Sequence, residues 1–369
     1  MFQSYPIVAT ANNWLHEAVV EIIRTIHTRL DNGERVFTTG TKPKKQQYWI
    51  TLLPNNVDPR LRGWHGVRDR VLKYAKYLKK PTMTQAQRLD ILQAINNQNN
   101  IAGLLNNTSD ISLINEAYPE VHEAAKDLFL FCYGKLGDAG IRNAQYQMIY
   151  DSLVAKDCPF CGVGDMMNIA EASQDQDHYL AKSVYAFSAA NIRNLVPMCI
   201  KCNRLHKKAD DVIKNEANMR VTAFDPYACN ATDISIEQSQ IAEGVSSINP
   251  DWIINFVPPT PEAENWDRIF KIRERLKRDI FDECFDRWFD GFLKKCLRER
   301  SKGLYSNTMS DDEIKSVLEG HRDSLLDDVG SGKDRFKPHL FNMMLNLFDS
   351  GNERIKSHVR DAVVGDEFR

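Results

Sequence analysis

The chain has 369 residues, 43% of them hydrophobic and 27% charged, with a formal net charge of −2. That balance supports a packed core and excludes a polycation; a nucleic-acid partner then needs only a local basic surface. No apolar run approaches the roughly 18 residues of a membrane-spanning helix, and the length suits two or three domains of roughly 100–200 residues.

In chain order, Asn12 or Asn13 caps an expected helix whose apolar face is Leu15, Val19, Ile22, Ile23, Ile26 and Leu30, ended by Asn32-Gly33. Val36–Thr39 and Tyr48–Leu53 read as short strands paired around a Lys42–Lys45 loop. Helical spacing runs from Gly66 to Lys80 until Pro81 stops it. Asn96–Ser109, rich in Asn, Gln and Thr, reads as a surface loop. Helices are expected over Glu116–Leu136 and Arg142–Ala155. A proline-rich stretch (224–262) then leads to one long amphipathic helix, Trp266–Glu299, with apolar residues at three- and four-residue multiples. Ser310 and Glu313 form a capping box, and Leu340–Phe348 reads as buried helix. The domain reading is a mixed α/β region with a basic helix (1–110), a helical lead-in (111–156), a cysteine-bearing module (157–215), a loop-rich linker (216–262) and a C-terminal helical domain (263–369).

Of eight cysteines, Cys132, Cys229, Cys284 and Cys296 stand singly, while Cys158-Pro-Phe-Cys161 and Cys199-Ile-Lys-Cys202 form two CxxC pairs. In a large chain whose N-terminus carries no secretion signal, that pattern favours metal over disulfides, and a reducing cytoplasmic setting is expected. Four thiolates about 2.3 Å from one ion make a closed tetrahedral zinc site.

Between the knuckles stand Asp177-His178-Tyr179-Leu180-Ala181-Lys182-Ser183 and Asn194-Leu195-Val196-Pro197-Met198, and Cys202 runs directly into Asn203-Arg204-Leu205-His206-Lys207. Phosphodiester hydrolysis needs a base to activate water and positive charge at the phosphoryl oxygens. A histidine, with an ordinary pKa near 6.5, suits the base; a carboxylate and a carboxamide offer hard oxygens to Mg²⁺ or Mn²⁺. In a strand, Asp177 and His178 leave opposite faces, so both can serve one ion only where a strand end twists.

The order and spacing over residues 157–210 resemble the HNH (ββα-metal, His-Me finger) endonucleases. The resemblance implies His178 as general base, Asp177 and Asn203 as ligands of a catalytic Mg²⁺ or Mn²⁺, and Asn194 as the brace that orients the histidine loop. It also implies a structural Zn²⁺ on Cys158, Cys161, Cys199 and Cys202. Two positions depart from the pattern: Ala181 stands where a proline is frequent, and Asn203 where many members carry His. Arg193, Arg204, Lys207 and Lys208 read either as phosphate contacts or as solvated helix charge. The same alternatives hold for the basic stretch Asp58–Lys80, with its interleaved Trp64, His65, Tyr74 and Tyr77: a surface for nucleic-acid backbone, or an amphipathic helix with tyrosines inward.

The expected fold is therefore predominantly α, α+β overall, with an embedded zinc-stapled ββα module. The expected activity is metal-dependent hydrolysis of DNA. By family analogy the chain is similar to nuclease effectors of bacterial anti-phage defence, working beside an ATPase, with restriction or homing nucleases as the alternative. One finger nicks one strand, so double-strand cutting implies a homo-oligomer. A zinc-stapled nucleic-acid or protein interaction module without catalysis is the competing class.

Overall fold

The computed structural model describes residues 3–36, 42–171, 176–241, 250–306, 308–327 and 330–365. It is α-rich α+β, with 59% helix and 6% strand. The chain divides into two units that do not follow chain order: Ser4–Leu153 with Met166–Asn230, and Val154–Asp165 with Ala231–Arg369 and the first three residues.

The first unit is built on helices α1 (Trp14–Asp31), α2 (Lys42–Ile50), α3 (Arg60–Gly63), α4 (His65–Leu78), α5 (Gln85–Asn99), α6 (Ile101–Leu105), α7 (Pro119–Asp138) and α8 (Ile141–Ser152). Its core joins Val19, Ile22, Ile23 and Ile26 of α1 to Val67, Val71 and Tyr74 of α4 and Leu128 and Phe129 of α7. Antiparallel strands β1 (Gln176–His178) and β2 (Leu195–Pro197) pair Asp177 with Val196 and His178 with Leu195. The segment between them is not a surface loop. Phe187 at its centre is fully buried, edge-on to Tyr74 at 6.4 Å and Phe129 at 5.8 Å. Burying such a segment requires partners for its backbone polar groups. The helices supply them: Phe187 N–H donates to Gln98 Oε1 (3.1 Å), Ile192 N–H to Asn13 Oδ1 (3.1 Å), and Gln145 Nε2 donates to the Ile192 carbonyl (2.9 Å).

The second unit holds two-stranded pairs of β3 (Asp233–Ser235) with β6 (Asn255–Val257) and β4 (Gln240–Ile241) with β5 (Pro250–Asp251). Its helices are α9 (Pro261–Phe270), α10 (Ile272–Leu276), α11 (Asp282–Ser301), α12 (Asp311–Asp327), α13 (Lys337–Asp349) and α14 (Glu353–Val363). The Ser310–Glu313 capping box is formed, with Glu313 N–H donating to Ser310 Oγ and Ser310 N–H to Glu313 Oε2. Leu340–Phe348 lies in α13 and is largely buried.

Three expectations are corrected. Tyr48–Leu53 is the end of α2 and the turn after it, not a strand, and the Lys42–Lys45 loop is that helix's first turn. Good helix formers precede an apolar Tyr48-Trp49-Ile50 run that a strand pattern also fits, and Trp49 anchors it at full burial. Residues 37–39 of the companion strand lie outside the described residues. Asn96–Ser109 contains the end of α5 and all of α6, because its amides are structural: Gln98 is 1% exposed and holds Phe187. The helix expected over Trp266–Glu299 is broken at Lys271, which takes φ 52° while Asp267 Oδ1 accepts from Arg273 N–H at 2.8 Å, and again by a π-turn over Lys277–Phe281. No Gly or Pro marks either break.

The basic stretch forms an amphipathic helix, α4, with Tyr74 inward. Tyr74 is fully buried with its hydroxyl 3.1 Å from His27 Nε2, and Arg60, Arg68 and Arg70 are paired with Asp58, Asp69 and Asp127 at 2.7–2.9 Å.

Candidate active site

Asn194 sits where the buried segment re-enters the sheet as β2 and is fully buried. Its Oδ1 accepts from Leu180 N–H at 2.7 Å, and its Nδ2 donates to the Leu180 carbonyl at 3.0 Å and to Ser188 Oγ at 3.2 Å. Its own carbonyl accepts from Tyr179 N–H at 2.9 Å. One carboxamide thus closes the loop that begins immediately after His178.

His178 ends β1 and is 5% exposed. Its Nε2 lies 2.9 Å from the Ala189 carbonyl. A carbonyl only accepts, so Nε2 carries the hydrogen and the lone pair resides on Nδ1. The Tyr133 ring packs at 4.5 Å from the imidazole. Burial above all, then the nearby Lys182 ammonium, pushes the His178 pKa down to about 3. The ordinary value near 6.5 assumed from sequence is therefore replaced by a firmly neutral imidazole.

Asp177 leaves the other face of the strand, as the alternation of burial along β1 requires. Its Oδ2 is 2.8 Å from Lys207 Nζ, an ion-pair contact; the ammonium's well-directed hydrogen bond goes to the His178 carbonyl at 3.0 Å. The Oδ2 atom is buried and takes no well-directed hydrogen bond of its own. Burial raises the Asp177 pKa, and the Lys207 charge opposes that rise. Lys207 itself is 1% exposed. It is not a free phosphate contact, because a buried ammonium without Asp177 would be an uncompensated charge. Arg193 is likewise engaged, paired with Asp225 and set over the Tyr227 ring at 4.8 Å. Arg204 and Lys208 are exposed, as solvated or phosphate-facing charge requires.

Asn203 is half-buried within a seven-residue π-helix, Lys201–Lys207, that follows the second knuckle. Asp177 and Asn203 offer oxygen donors of the hard type a divalent cation takes, and Oδ2 of Asp177 already carries the Lys207 ammonium at 2.8 Å. The donor set therefore fits Mg²⁺ or Mn²⁺ in kind, with Lys207 as the resident positive charge beside it.

The first knuckle turns through Gly162 at φ 66°, with Gly162 N–H donating to the Cys158 carbonyl at 2.7 Å and Gly164 N–H to Cys161 Sγ at 3.4 Å. Cys199 lies just before the π-helix and Cys202 in its first turn, where Asn203 N–H donates to the Cys199 carbonyl at 3.0 Å. The Sγ atoms of Cys158, Cys161, Cys199 and Cys202 lie within 4.8 Å of one another and all four residues are buried. Four converging thiols and no disulfide match the donor set of a tetrahedral Zn²⁺.

Residues that the sequence singled out for no role also crowd the histidine. Tyr133 comes from α7, Arg142 from α8 and Lys182 from the segment after β1; helix spacing alone cannot show that α7 and α8 pack beside β1. The buried Ser188 and Ala189 likewise became visible only once the segment was seen to enter the core. No family model, curated protein or solved structure matches this chain.

Proposed function

We propose that the chain is a metal-dependent nuclease of the HNH type that hydrolyses phosphodiester bonds of DNA. The observation that carries this reading is the fixed tautomer of His178: Nε2 is spent on the Ala189 carbonyl, which leaves Nδ1 as a neutral base in a loop locked by Asn194. In the reaction, Nδ1 takes a proton from water as the water oxygen bonds phosphorus, and one P–O ester bond breaks. The bound phosphodiester's negative charge raises the depressed basicity of His178 at the moment a proton must be accepted. With β1 ending at His178, a twist at the strand end would let Asp177, on the other face, and Asn203 hold a divalent cation beside the base, and that cation would supply positive charge at the phosphoryl and leaving oxygens. Zn²⁺ on the four cysteines would be structural, since four thiolates leave no open position.

The test is incubation of supercoiled plasmid with the full chain, with and without Mg²⁺ or Mn²⁺. Relaxed circles that form only with metal support the reading; an intact plasmid under every metal condition, from folded protein, overturns it. The buried Asp177–Lys207 pair favours a second reading, a zinc-stapled DNA- or protein-binding module without catalysis. That module would bind DNA and never nick it. With the nuclease we propose, on family analogy, a role as effector beside an ATPase in anti-phage defence, with restriction or homing as the alternative and self-association for double-strand cuts. Co-purification with an ATPase supports the first, and sequence-specific cutting by the lone protein supports the second.

A further inference from the structure

Two of the four cations that sequence pattern offers as phosphate contacts are paired away: Lys207 with Asp177 and Arg193 with Asp225. A different pair stands uncompensated. Arg142 places its guanidinium carbon 4.8 Å from the Tyr133 ring centroid, and Lys182 places its ammonium 5.8 Å from the same centroid. Tyr133 in turn packs on the His178 imidazole at 4.5 Å. Neither cation has a carboxylate partner among the described residues. Two cations set against one ring that packs on a buried base, neither with a carboxylate partner, leave positive charge there for an anion to balance.

Arg142 is also held in place. Its Nε donates to Gln176 Oε1 at 3.2 Å, and Gln176 Nε2 donates back to the Arg142 carbonyl at 3.0 Å. Gln176 is 3% exposed and belongs to β1, two positions before His178, and its carbonyl accepts from the Tyr133 hydroxyl at 3.4 Å. Strand, tyrosine and arginine therefore form one linked set, and the terminal guanidinium nitrogens, which have no partner among the described residues, keep their capacity for a bidentate anion.

We propose that Arg142 and Lys182, carried on the Tyr133 ring, form the phosphate-binding subsite that seats a nucleic-acid backbone against His178. This rests on the nuclease reading for the identity of the anion, and it extends substrate binding from the cysteine-bearing segment, through Lys182, to Arg142 on α8. Arg142 and Lys182 are binding residues and exchange no proton with substrate.

The experiment is anisotropy of a labelled DNA duplex titrated with the full chain in metal-free buffer over a series of salt concentrations. Arg142→Gln and Lys182→Gln should each weaken binding about 5- to 10-fold and lower the slope of log affinity against log salt by about one, as loss of one phosphate contact does. Arg142→Lys and Lys182→Arg should restore most of both, which a merely structural loss would not. Wild-type affinity and slope in both Gln variants, folded as judged by thermal unfolding, overturn the subsite. Because the readout needs no cleavage, plasmid nicking is scored separately. Active Gln variants with unchanged KM sink the subsite alone, and a wild type that binds through these residues but never cuts sinks the nuclease alone.

Discussion

Asn194 grips the peptide of Leu180 from both sides, accepting from its N–H at 2.7 Å and donating to its carbonyl at 3.0 Å. The side chain does for the loop what a neighbouring strand does in a sheet, and it does so two residues beyond the candidate base. Asn194→Ala leaves both Leu180 groups buried without partners, at a cost of about 2–4 kcal/mol. Asn194→Asp keeps the acceptor, loses the donor and adds a buried charge, so it should be no milder. Urea unfolding reads the cost, and nicking by the folded fraction should fall more than 100-fold. Wild-type stability in Asn194→Ala contradicts the bracing role.

The Asp177–Lys207 pair gives a second prediction. Lys207→Met removes a cation that is 1% exposed and strands a mostly buried carboxylate, which should cost about 3 kcal/mol. Adding Asp177→Asn to Lys207→Met should recover part of that loss, because the stranded charge is gone. A double-mutant cycle by urea denaturation checks this, and strict additivity of the two changes would refute the coupling.

Stability should fall on mild acidification. Burial pushes His16 and His27 down to about 4, from 6.5 in the unfolded chain. Between those values the unfolded chain binds protons that the folded chain refuses. The contribution of these neutral histidines is therefore full above about pH 6.5 and declines as pH falls towards 4. Urea midpoints at pH 7 and pH 5 should differ accordingly, and His27→Gln should flatten the dependence. A midpoint unchanged from pH 7 to pH 5 would rule this out.

Metal analysis of the purified chain should give about one zinc per chain, held by the four thiolates. Cys158→Ser/Cys199→Ser should lose it, with a lower unfolding temperature and no nicking. Stoichiometric zinc retained in that double variant would place the metal elsewhere.

What was legible in the sequence follows from which signals are local. Helices α1, α4, α7 and α8 and the Ser310 cap stand near where periodicity and capping chemistry put them, since each records its own buried face or its own orphan N–H groups. The four cysteines were legible because metal chemistry dictates both residue type and spacing. Long-range compensation was not. Gln98 and Asn99 look like loop polarity and Asn13 like a helix cap, yet Asn13 makes no side-chain cap bond and all three bond to the buried segment between β1 and β2, at Phe187, Asn191 and Ile192 respectively. Lys207 looks like an exposed helix charge until Asp177 is seen beside it, and Lys271 takes a left-handed turn that no Gly announces. The proximity of Tyr133 and Arg142 to His178 depends on how α7 and α8 pack, which no spacing encodes.

The most direct measurement of the central claim is single-turnover plasmid nicking with saturating Mn²⁺ by wild type and His178→Ala, each with its zinc content and fold verified. If Nδ1 of His178 is the base, the variant should nick at least about 10³-fold more slowly while retaining DNA affinity and zinc. Equal nicking rates for the two proteins would contradict the account at its root.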